Sequence, residues 1–69
     1  MPNLYFAYFY KPSSLTTDGW KDRLTCICDE RGRIESQRDY DFITDNKFIY
    51  IGHYKYGTEP LNIWVKARA

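Results

Sequence analysis

The chain has 69 residues, with ten Lys/Arg against nine Asp/Glu and a formal charge of +1. A chain this short makes a single domain, residues 1–69, that buries only about 60% of its unfolded surface. The near-neutral balance excludes a histone-like basic protein and an acidic tail protein. Fifteen Leu, Ile, Val and Phe residues at so low a net charge exclude intrinsic disorder. Thirteen aromatics, seven of them Tyr, must carry a core that eleven aliphatic Leu, Ile and Val cannot fill alone. No apolar run is long enough to span a bilayer.

Met1 to Lys11 lacks a charged n-region and a small-residue cleavage site, so it reads as a strand rather than a signal peptide. Leu4 to Tyr10 is apolar on both faces, with Leu4, Phe6, Tyr8 and Tyr10 on one and Tyr5, Ala7 and Phe9 on the other. Such a strand is central, or has a helix across it. Lys11 to Gly19 is turn chemistry throughout and reads as a loop. Arg23 to Asp29 is the second strand, with Leu24, Cys26 and Cys28 as its inner face. The two cysteines are too close in sequence for an unstrained bridge, and no second ligand pair exists for structural zinc. They read as small, reduced, buried apolar groups in a cytoplasmic protein, with no metal and no cofactor.

Glu30 to Arg33 reads as a hairpin turn with Gly32 at positive φ, and Ile34 to Ser36 as a short third strand. Ser36 with Asp39 is an N-cap signal, and Tyr40 and Ile43 lie one turn apart. They predict a short helix ending at Asp45-Asn46, with an irregular loop as the alternative. Lys47 to Tyr56 and Leu61 to Arg68 read as two strands joined by a turn at 57–60. The fold class is therefore mainly β. It is a small antiparallel sheet of about five strands, curved or a partial barrel, and one short helix makes an α+β alternative. An open sheet with one helix across it fits equally well.

The last two strands permit a register argument. A 57–60 loop pairs Tyr56 with Leu61, Tyr54 with Ile63, Gly52 with Val65 and Tyr50 with Ala67, a wholly apolar core face. The outward face then carries Ile49, Ile51, His53, Lys55, Trp64, Lys66 and Arg68. A single bulge would exchange the two faces. Residues 47–69 hold four Lys/Arg against one Glu, a local +3, and residues 29–45 hold three Arg against six Asp/Glu, a local −3.

The outward face supports two functions. Trp, Tyr and Arg dominate protein interface hot spots. Aromatic rings flanked by cations also stack bases and hold phosphates. A charge of only +1 weakens the second reading. A lone His, with no Ser/His/Asp ordering and no phosphate loop, argues against an enzyme. The expectation is a small non-enzymatic protein-binding domain, of the inhibitor or adaptor type found among phage accessory proteins. The alternative is a single-stranded nucleic-acid binder. The partner is another protein of unknown identity. The exposed Ile pair and the 61–68 edge strand point to a homodimer.

Overall fold

The computed structural model describes residues 3–65. The most apolar segment forms β1, Tyr5–Tyr10. A 3-10 turn over Pro12–Ser14 leads into a short ribbon of β2, Leu15–Thr16, and β3, Gly19–Trp20. Strand β4, Arg23–Cys28, follows, then helix α1, Gln37–Asp45, and strand β5, Ile49–Lys55. The main sheet has the order β4-β1-β5 and is antiparallel throughout. Strands β2 and β3 form a separate pair. The architecture is thus an open three-stranded sheet with a helix and a side ribbon, and it is not a closed barrel.

Strand β1 is apolar on both faces because it is central. Its Ala7 and Phe9 join Cys26 and Cys28 of β4 and Ile43 of α1 in the buried core. Tyr5, Leu24, Ile34 and Phe48 pack partly buried against that cluster. The expected inner face of β4 is therefore the observed one. Helix α1 starts where Ser36 caps it, its hydroxyl accepting from the Asp39 amide at 3.2 Å. It ends at Asn46, whose side-chain amide donates to the Phe42 carbonyl at 2.9 Å. The helix reading holds and the loop alternative does not. Among the described residues, no helix is long and apolar enough to cross a membrane.

The turn after β4 is also as expected. Gly32 has φ +85°, and the Asp29 carboxylate accepts from the Arg31 and Arg33 amides at 2.8 and 2.9 Å. These bonds hold that carboxyl below its ordinary range, led by the amide of Arg33. The expected strand at 34–36 is reduced to one bridge, Cys28 to Ile34. The chain leaves the sheet there because Ser36 turns it into α1.

Two further expectations fail. Leu61 to Val65 is a turn, not the start of a strand, with Asn62 at φ +60° and the Val65 amide donating to the Asn62 carbonyl at 3.1 Å. Among the described residues β5 pairs with β1 alone, so the pairs Tyr56–Leu61, Tyr54–Ile63 and Gly52–Val65 do not form. Tyr50–Ala67, Lys66 and Arg68 involve positions outside the described residues. The second failure is the face assignment in β5. Tyr5, Phe6, Ala7 and Tyr8 pair with Lys55, Tyr54, His53 and Gly52, but Phe9 pairs with Tyr50. One extra residue, Ile51, is taken up at that point, and Tyr50 changes sides relative to Gly52 and Tyr54.

Candidate functional site

The sheet face away from α1 is built from alternate positions. Strand β1 supplies Phe6, Tyr8 and Tyr10, and β5 supplies Tyr54. Gly52 makes room between the strands. A Cβ there would stand 3.0 Å from the Tyr8 hydroxyl oxygen and 3.2 Å from its Cζ, so the Tyr8 ring lies across the glycine. Strand β4 adds Arg23, Thr25 and Ile27, paired with Tyr10, Tyr8 and Phe6.

Two further aromatics come from outside the sheet. Trp20 packs on Tyr10 with ring centres 4.4 Å apart. Trp64 meets the Tyr8 ring edge-on at 5.8 Å and lies under the Arg23 guanidinium at 5.5 Å. The side ribbon seats it: the Trp64 carbonyl accepts from the Trp20 amide at 3.3 Å. Gly19, buried at φ +117°, makes this approach possible, since a Cβ would overlap the same carbonyl.

At the other end of the face, Phe6 stands 5.9 Å from Tyr54 and 6.3 Å from Tyr56, centre to centre, with interplanar angles of 38° and 56°. Gly57, at φ +93°, occupies the third position of a turn closed by the Thr58 amide donating to the Lys55 carbonyl at 2.9 Å. The turn brings Glu59 back to the sheet, where its carboxylate accepts from the Tyr54 hydroxyl at 3.1 Å. Phe6, Thr25, Tyr54, Tyr56, Gly57 and Glu59 line a groove of about 510 Å³. Burial pushes the Tyr54 phenol up, and the hydrogen bond to Glu59 and its charge push in the same direction. The phenol therefore stays neutral and keeps donating.

The residues expected to form one outward face are divided. Ile49, Ile51 and Lys55 are exposed. His53 turns to the opposite side from Trp64, toward the 29–33 turn. Its Nδ1 lies 2.6 Å from the Tyr50 hydroxyl and its Nε2 lies 3.1 Å from the Glu30 carbonyl oxygen. Both ring nitrogens are thus engaged, which leaves the imidazole poorly placed as a general base. Lys66 and Arg68 lie outside the described residues. Trp64 alone joins the aromatic face. Phe6, Tyr8, Ile27, Tyr54, Tyr56 and Glu59 were not among the expected site residues. Their signal was the alternation of Phe6, Tyr8 and Tyr10 in β1, a face that Trp20 and Trp64 cover in part and α1 does not.

The cysteine pair offers no reactive group. Burial first, then the charge of Asp39 and then Cys28, pushes the Cys26 thiol up to about 11. Burial, then Asp29 and Glu35, raises Cys28 as well. Among the described residues no cluster of three His, Cys, Asp or Glu side chains could hold a metal ion. No protein-family model, curated protein or solved structure matches the chain.

Proposed function

We propose that this chain is a non-catalytic protein-binding domain whose interface is the open aromatic face of the three-stranded sheet. The observation that carries the reading is the unbroken run of Ile27, Phe6, Tyr54, Tyr8 and Trp64 on a face that α1 does not cover, continued by Tyr56. Ile27 is 51% and Tyr56 61% exposed. Phe6, Tyr8, Tyr54 and Trp64 are half-buried, and Ile27 and Tyr56 open the run to water, an apolar strip of the kind that marks interaction sites. Tyr, Trp and Arg are also the side chains that dominate interface hot spots. In this reading the domain acts by covering a surface of a larger protein, as small inhibitors and adaptors of the phage accessory type do.

Nucleic acid fits the same face less well. Neighbouring rings are tilted by 38° to 81° instead of offering parallel planes to successive bases. Arg23 is already seated on Trp64, and the groove at the other end presents the Glu59 carboxylate, which repels phosphate.

The test is capture from nuclease-treated lysate on the immobilised protein, with Ile27→Asp and Ile51→Asp as paired variants. Both positions are exposed, so both variants should fold, as circular dichroism will verify. A partner retained by the parent and by Ile51→Asp, and lost by Ile27→Asp, supports the open face. Recovery that disappears on nuclease treatment overturns it in favour of single-stranded nucleic acid.

A further inference from the structure

We infer that the groove at the Phe6 end of the open face is a cation cage, which takes an alkylammonium side chain, lysine or a methylated lysine, from the protein partner. The inference rests on the protein-binding reading and adds the chemistry of the anchor. A cation is attracted to an aromatic face within about 6 Å of the ring centre. Phe6 stands 5.9 Å from Tyr54 and 6.3 Å from Tyr56, and all three rings line the one groove, so a cation seated over Phe6 has both tyrosines as neighbours. Their mutual tilts of 38° and 56° make the rings walls of a recess, not a stack.

The fourth element is charge. Glu59 lines the same groove, and its carboxylate is held at 3.1 Å by the Tyr54 hydroxyl, which itself belongs to a wall. An apolar docking groove would gain nothing from a carboxylate fixed at its edge. A site for an alkylammonium gains charge complementarity from it, while the methyl or methylene groups contact the rings. The volume, about 510 Å³, lies in the range of roughly 300–1,000 Å³ typical of ligand clefts. The same face already shows the chemistry once, where the chain's own Arg23 sits over Trp64.

The probe is Nα-acetyl-trimethyllysine amide, titrated into the full chain and followed by the ring proton resonances of Tyr54 and Tyr56. Its neutral tert-butyl carbon isostere serves as the comparison. The expected result is a shift of both tyrosines, with the isostere roughly tenfold weaker because it keeps the shape and loses the charge. Glu59→Gln should weaken the probe several-fold, and Tyr56→Ala, at an exposed position, should abolish its binding. Equal affinity for the isostere, or no shift of either ring, overturns the cage. So does a gain in probe affinity in Lys66→Gln/Arg68→Gln, which would make the chain's own C-terminal residues the occupant. If probe binding fails while Ile27→Asp still loses a captured protein, the cage is wrong and the interface stands. If the probe binds but no protein is captured through this face, the interface fails and the partner's lysine with it.

Discussion

Tyr50 and His53 stand three residues apart in one strand, yet the phenol hydroxyl of the first lies 2.6 Å from Nδ1 of the second. Residues three apart in a regular strand point to opposite faces. They meet here because the register between β1 and β5 shifts at Tyr8/Phe9. The carbonyl of Glu30 can only accept, so Nε2 carries a proton and donates to it, and in the neutral imidazole Nδ1 accepts from the Tyr50 hydroxyl. The pair clamps the 29–33 turn to the sheet, and Gly32 lies so close that a Cβ would reach His53 Nδ1 at 2.6 Å.

Tyr50→Phe should therefore loosen the turn without unfolding the domain. The ring keeps its edge contact with Phe9 at 5.7 Å, and only the hydroxyl is lost. The expected cost is about 0.5–1.5 kcal/mol in urea denaturation. Faster hydrogen exchange at the Gly32 and Arg33 amides should accompany it. Unchanged exchange there would show that the clamp does not hold the turn.

Gly52→Val should destabilise by roughly 1–3 kcal/mol through overpacking. The clash is with the Tyr8 ring, 3.0–3.5 Å from the added Cβ, on the open face and not on the core face that regular alternation implies. A double-mutant cycle with Tyr8→Ala separates the two positions. If Tyr8 is the obstacle, the valine should cost much less in its absence.

Gly19→Ala combines two penalties. At φ +117° an L side chain is strained, by about 1–3 kcal/mol. Its Cβ would also drive away the Trp64 carbonyl. The variant should lose the docked position of Trp64 along with stability. Indole fluorescence should move to longer wavelength before the global transition. A shift that occurs only together with global unfolding would count against the docking.

Cys26 and Cys28 should react slowly with iodoacetamide at pH 8 in the folded protein and quickly in denaturant, because only the thiolate attacks. The linkage has a definite sign. The Cys26 thiol titrates at about 11 in the fold against an ordinary value of 9.0. Between those values the unfolded chain releases a proton that the folded one keeps. The contribution to stability is therefore complete below pH 9 and falls as the pH rises toward 11. Cys26→Ala should remove that part of the alkaline slope, at a cavity cost of about 1–3 kcal/mol.

Local chemistry alone determined much of this fold. Five aromatics in the seven residues from Leu4 to Tyr10 demand a central strand. Cys26 and Cys28 share an inner face because side chains alternate along β4. Gly32 turns the chain, and Ser36 starts the helix by capping it. Each of these depends on interactions within a few residues, so the sequence suffices to read them. The tertiary structure decided two things. The first was which face of β5 each side chain takes, because the extra residue at the Tyr8/Phe9 shift depends on how β5 fits against β1. The second was the fate of residues 61–65. Their alternation suits a strand, but the Trp64 carbonyl finds its partner in the Trp20 amide and its ring settles between Tyr8 and Arg23. Those partners lie more than forty residues away in the chain, and packing against them outweighs the local preference for strand. The open aromatic face follows from the same contacts. Periodicity marks both sides of β1 as apolar, and the docking of one nine-residue helix determines which of them becomes the buried core.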